Sequence, residues 1–149
     1  MLKLFLTLLL AQSLLAPKPT VQHVTAAPAV VRGANGAVTL ALDVTPDPRM
    51  HVYAAGAKDF TAVTLILTPH TDVTAGKPVY PKADMASAPG SDDAPAYSKA
   101  FRITQPVTVR GGAAKDLTIA GVLNYQACDD RVCYPVSSLP VSWTLSSSR

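Results

Sequence analysis

No stretch of this sequence carries an apolar stripe at helical spacing over the length of a helix, which excludes a helical bundle. Thirteen prolines in 149 residues point the same way, because each fixes φ and removes a backbone donor. Charge is sparse: 15% of residues are charged, the net charge is +3, and the basic residues are scattered. A surface without a basic patch excludes nucleic acid as the expected partner. There is no Gly-x-Ser-x-Gly, no phosphate-binding glycine loop and no paired-carboxylate signature. His23, His51 and His70 have no ligand spacing among themselves or with the cysteines, so no metal and no cofactor is expected. No internal repeat is present. Cysteine is nearly absent as well, with Cys128 and Cys133 the two in the chain.

Long apolar runs are also missing, except at the N-terminus. Lys3 precedes an apolar run from Leu4 to Leu10, and Ala11 to Ala16 continues it with small residues. A basic start, an apolar centre and a small-residue end predict a secretory signal peptide over residues 1–16, cleaved after Ser13 or Ala16. The alternative is an uncleaved N-terminal anchor with the domain outside the membrane. Pro17-Lys18-Pro19 follows too soon for a comfortable span of about 20 residues, so no span is expected after cleavage. A Pro/Ala/Thr-rich lead-in follows at 17–29, ending in an edge strand, and then a single domain over 30–147. The exported chain of roughly 130 residues is enough for one core. In an oxidising compartment its two cysteines are expected to pair.

What the chain does have is alternation. Val38, Leu40, Leu42 and Val44 share one face of a strand that follows an Asn35-Gly36 turn. Val63, Leu65 and Leu67 mark a second, Leu117 to Tyr125 a third, and Val141, Trp143 and Leu145 a last. Shorter strands are expected at Met50–Tyr53, Tyr97–Ile103 and Pro106–Arg110, with a long polar loop at Ala83–Ala96. Trp143 is expected in the core. Seven to nine short strands with such turns predict an all-β fold, an immunoglobulin-like antiparallel β-sandwich.

The cysteines end the third of these strands, in Tyr125-Gln126-Ala127-Cys128-Asp129-Asp130-Arg131-Val132-Cys133-Tyr134-Pro135. A disulfide closing so short a loop stabilises by about 2 kcal/mol in the loop-entropy model, against nearly 5 for a loop of about 100 residues. It clips the two ends of a turn and does not tie one sheet to another. That makes it poor as a staple and reasonable as a switch. Asp129, Asp130 and Arg131 should hold the turn in solvent and leave at least one sulfur accessible. Arg131 favours a thiolate and the two aspartates oppose it. Pro135 stiffens the exit.

Tyr125-Gln126-Ala127-Cys128 followed by Cys133-Tyr134-Pro135 resembles the active-site hairpin of the N-terminal periplasmic domain of the thiol:disulfide interchange protein DsbD. His51-Val52-Tyr53, Tyr80-Pro81, Tyr97–Ile103 and Pro106–Val109 are compatible with the same family. The resemblance implies an immunoglobulin-like domain that carries electrons in the bacterial periplasm by thiol–disulfide exchange. By position, Cys133 matches the cysteine that forms the mixed disulfide with partners, and Cys128 its intramolecular mate. Tyr53 and His51 match positions where the family places aromatic residues near the cysteines; Tyr53 could pack on the disulfide there and His51, a histidine at such a position, could assist proton transfer. Two departures stand out in the site. The cysteine spacing is one residue shorter than in the best-known member. The family's cap loop carries aromatic residues over the sulfurs, whereas 83–96 has none; if that loop is the cap, either Met85 or the loop backbone shields them or the shielding is weak. The chain as written also holds no membrane conduit and no thioredoxin-like domain. Its expected donor is therefore a separate thioredoxin-like protein or membrane thiol transporter, and its acceptor an oxidised periplasmic protein. The competing expectation is a non-catalytic immunoglobulin-like binding or assembly module in which Cys128–Cys133 is a local structural disulfide.

Overall fold

A computed structural model describes residues 21–112 and 116–146; the expected signal peptide lies outside these residues. Two long strands open the fold, β1 (Val24–Arg32) and β2 (Val38–Pro46), joined by a 3-10 turn at Ala34–Gly36. β1 begins within the stretch expected as lead-in. β3 (His51–Tyr53), β4 (Thr64–Leu67), β5 (Val73–Ala75), β6 (Asp84–Ala86) and β7 (Ala94–Tyr97) are short. β8 (Phe101–Val109), β9 (Leu117–Tyr125), β10 (Ala127–Cys128) and β11 (Ser137–Leu145) complete the chain.

These strands form three antiparallel sheets ordered β1-β2-β8-β5, β10-β3-β7-β6 and β11-β9-β4. The fold is all-β and immunoglobulin-like, as the alternation predicted. Leu40, Leu42 and Val44 of β2 face Ile103 of β8 and Ile119, Leu123 and Leu145 of the β11-β9-β4 sheet in one buried core. Trp143 lies in that core, 1% exposed, and its indole N–H donates to the Ala41 carbonyl at 2.7 Å. Gly121 is what lets β9 pass over it. A Cβ there would lie 2.9 Å from the Ile66 carbonyl oxygen and 3.3 Å from the Trp143 ring.

Two expectations need correction. Tyr97–Ile103 and Pro106–Arg110 are not separate strands. Tyr97 ends β7, and β8 runs unbroken through Pro106. The carbonyl of Pro106 accepts from the Gly76 amide at 2.8 Å, so its missing N–H faces the edge beside β5 and costs the β2 ladder nothing. The long polar loop at 83–96 is also folded. It forms the β6–β7 hairpin, with Asp84 opposite Ala96, Met85 opposite Pro95 and Ala86 opposite Ala94. Alanine, proline and aspartate are weak strand formers, and what holds them here is packing. The β10-β3-β7-β6 sheet is the element that carries the cysteines. Its inner face gives Val52, Ala127 and Tyr97 to the main core. Its outer face carries a second, smaller buried cluster of Tyr53, Ala94, Ala96 and Cys128, completed by Ala88 of the hairpin turn.

Candidate functional site

Period-2 alternation places Cys128. β9 pairs with β11 as far as Tyr125 and with β4 as far as Asn124, and after Gln126 the chain changes sheets so that β10 pairs with β3. Ala127 stands opposite Val52 on the core side. Cys128 stands opposite His51, one residue on, and so projects to the outer face. It is fully buried there, at 0% exposure. Cys133, after the turn, pairs back across it, is disulfide-bonded to Cys128 and is half-buried. The two sulfurs are therefore unequal, and Cys133 is the one nearer solvent.

Asp129 builds the turn. Its Oδ1 accepts the amides of Arg131 and Val132, each at 2.8 Å, and its own amide donates to the Val132 carbonyl at 3.0 Å. Those two amides hold its carboxyl below the usual carboxylate range, against a slight opposing effect of desolvation, so it stays ionised beside the sulfurs. The Arg131 side chain is exposed and adds a smaller favourable charge at that carboxylate. Tyr134 closes the turn from the far side, its amide donating to Ala127 at 2.9 Å and its hydroxyl to Asp129 at 3.4 Å. Its ring lies against His23 with centroids 3.9 Å apart and the planes tilted by 35°. Pro135 is exposed, and its carbonyl accepts from Ser137 Oγ at 3.3 Å.

The expected Tyr53 lies at the sulfurs, and a second ring, Phe60, joins it. Tyr53 is fully buried, and its hydroxyl lies 3.8 Å from Cys133 Sγ. A disulfide sulfur has no proton, so in this state the hydroxyl is the donor. Burial pushes the Tyr53 phenol up, which keeps that proton in place. Phe60, from the loop between β3 and β4, stacks on Tyr53 with centroids 4.0 Å apart and packs against the same cluster. The Phe60 loop is tied to the cysteine strand by Gln126, whose side-chain carbonyl accepts from the Thr61 amide at 3.0 Å. Met85 does not shield the sulfurs, being 61% exposed. The hairpin 83–97 instead supplies alanines, Ala86, Ala88, Ala94 and Ala96, small enough to let Tyr53 and Cys128 pack down.

Of the residues singled out in the sequence, the structure brings Tyr53 and His51 to the cysteines. Arg131 and Tyr134 belong to the turn and Pro135 to its exit. Tyr125 is separate: its ring sits in the main core and its hydroxyl donates to Gln22 at 2.6 Å. Phe60 is absent from that set, and Gln126 enters it only as part of the motif, without its tie to the Phe60 loop. A lone aromatic in the small, polar stretch Ala55–Thr61 was the available signal for Phe60. Among the described residues no group of three or more His, Cys, Asp or Glu can hold a metal ion, and no helix is long and apolar enough to cross a membrane.

The fold and site together define an immunoglobulin-like domain with a disulfide-closed cysteine hairpin on the outer face of one sheet. Residues 16–141 match the family model described as thiol:disulfide interchange protein DsbD, N-terminal. The chain belongs to that family. Solved structures share the fold at low identity. The DsbD N-terminal domain of Neisseria meningitidis in its reduced form is 15% identical, with a TM-score of 0.52 over 80% of this chain and 89% of that one. The N-terminal periplasmic domain of ScsB from Proteus mirabilis is 17% identical, with a TM-score of 0.60 over 87% of this chain and 49% of that one. The DsbD N-terminal domain in complex with the PilB N-terminal domain, also from Neisseria meningitidis, is 17% identical, with a TM-score of 0.50 over 78% of this chain and 80% of that one. No curated protein matches the sequence.

Proposed function

We propose that the chain is an exported thiol–disulfide carrier of the periplasm, passing reducing equivalents from a thioredoxin-like or membrane thiol-transporter donor to oxidised proteins. The observation that carries the reading is the inequality of the two sulfurs within one short turn, Cys128 fully buried and Cys133 half-buried beside the Tyr53 hydroxyl. A staple needs no such inequality, whereas an exchange site needs one sulfur a partner can reach and one it cannot. Family membership supports the chemistry. The relative captured with the PilB N-terminal domain supports protein partners at this fold, and the periplasmic relative from Proteus mirabilis supports the compartment.

In this reading the Cys133 thiolate attacks the partner's disulfide and expels one of its sulfurs as a thiolate. Cys128 then attacks Cys133 Sγ, reforming the internal disulfide and releasing the partner's second sulfur. Two electrons leave the Cys128/Cys133 dithiol and reduce one partner disulfide. Tyr53 and Phe60 shield the exposed sulfur between encounters, and Asp129 holds the turn so that both sulfurs stay within bonding reach.

The test is trapping. Cys128→Ser should accumulate a mixed disulfide through Cys133 with a thioredoxin-like protein, and Cys133→Ser should accumulate much less. If neither variant traps a partner and the native disulfide resists thioredoxin-class reductants, the pair is a local clip and this function is excluded.

A further inference from the structure

The fully buried cysteine poses a chemical problem. To attack Cys133 and release the partner, Cys128 must lose a proton in a site closed to bulk water, at 0% exposure. Burial in apolar surroundings raises a thiol above its ordinary value of about 8.5. The carboxylates of Asp129 and Asp130, next in the chain, oppose thiolate formation further. The turn therefore does not activate its own buried thiol.

One group on the facing strand is placed to do so. His51 stands directly opposite Cys128 in the β3–β10 ladder, where facing residues carry their Cβ atoms about 4.5–5.5 Å apart on the same side of the sheet. Its ring meets Tyr53 edge-on, with centroids 5.1 Å apart, which fixes it in the outer-face cluster. It is 5% exposed, and its Nε2 is buried with no hydrogen-bond partner among the described residues. A buried polar atom left unpaired costs about 1–3 kcal/mol, so it calls for an explanation. In the disulfide state Cys128 has no proton to offer it. In the dithiol state it does.

We propose that His51 is the proton acceptor for Cys128 in the step that resolves the mixed disulfide. The proposal rests on the exchange function above. In that step the Cys128 S–H proton passes to His51 Nε2 and the Cys128 sulfur attacks Cys133 Sγ. The Cys133–partner bond breaks, and its electron pair leaves on the partner's sulfur. The imidazolium then gives its proton to water or to the departing thiolate. Cys128 is oxidised and the partner sulfur reduced, so the step needs no further reagent. Burial lowers the His51 imidazole from its ordinary value, more than the charges of Asp130 and Asp129 raise it. His51 therefore starts the step neutral and able to accept a proton at neutral pH.

The experiment mixes the reduced full chain with the chromogenic disulfide dithiobis(nitrobenzoate) and follows release of coloured thiolate. Attack by Cys133 releases the first equivalent, and resolution by Cys128 releases the second. His51→Gln should leave the first phase unchanged and slow the second by about 100-fold near neutral pH, a general-base effect. In the native chain the second phase should level off above about pH 6.5, the ordinary imidazole value. In the variant it should keep rising into alkaline pH, because hydroxide takes over the role. An unchanged second phase with an unchanged pH profile overturns the proposal and leaves the exchange function standing. Absence of the first phase in the native chain removes the exchange function, and this inference with it. NMR titration of His51 in the native chain gives a check that needs no variant. The imidazole should titrate lower in the dithiol state, where the Cys128 S–H donates to neutral Nε2 and stabilises the uncharged ring, than in the disulfide state. Identical titration in both states overturns the proposal.

Discussion

Acid meets two groups beside the sulfurs, and it meets them in different ranges. Burial holds His51 below the ordinary imidazole value of about 6.5, whereas backbone amides hold Asp129 below the ordinary carboxylate range. In the window between the folded and unfolded values of His51, the unfolded chain binds the proton and the folded chain does not. Its contribution is therefore complete above about pH 6.5 and is lost as pH falls through the lower folded value. The melting temperature should fall on acidification from about pH 7.5 to pH 5.5, and His51→Gln should flatten that slope. Equal slopes in thermal unfolding of the two proteins would show that His51 is not the group responsible. At this scale the sequence was legible where a family pattern could be matched. The positions of His51 and Tyr53 followed from the resemblance. Phe60 did not, because a single ring among Gly56, Ala57, Lys58 and Asp59 has no period to betray which way it points. Nor did Tyr125 reveal that its face of β9 turns away from the sulfurs.

At the scale of elements, the proposed exchange function gives the β3–β4 loop the part of a lid. Phe60 supplies the surface, and the hydrogen bond from Thr61 to Gln126 ties it to the cysteine strand. Phe60→Ala should speed alkylation of Cys133 by iodoacetamide in the reduced chain by severalfold. Because the ring is only half-buried, the cost in urea unfolding should be about 1–2 kcal/mol, less than the 3–5 of a fully buried Phe. Alkylation at the native rate would show that Phe60 does not cover the sulfur. The long strands were legible because Val, Leu, Ile and Trp alternate with Thr, Ala and Ser over whole strands. The β6–β7 hairpin was not, since Ala83–Ala96 offers alanine on the faces where a strand reader looks for bulk. Small size is what that position requires, with Tyr53 and Cys128 lying above it.

For the whole molecule, the disulfide closes a turn within one sheet, and neither cysteine belongs to the main core. Reduction should then lower global stability by about 2 kcal/mol or less, the loop-entropy value for so short a loop. Urea unfolding of the oxidised and reduced chains should give nearly parallel curves, and a gap of about 5 kcal/mol would mark the bond as a structural staple. The class of fold was legible from the alternation and the prolines. The division of the interior in two was not, because it depends on the change of sheets at Gln126, and a chain's change of partner leaves no local signature. That division has a consequence for how such a domain can diversify. The cluster around Tyr53, Phe60 and Cys128 can exchange its lid, its turn length or its histidine while the packing around Trp143 stays as it is. The interior is thus two separate packing problems, and the cysteines belong to the smaller one.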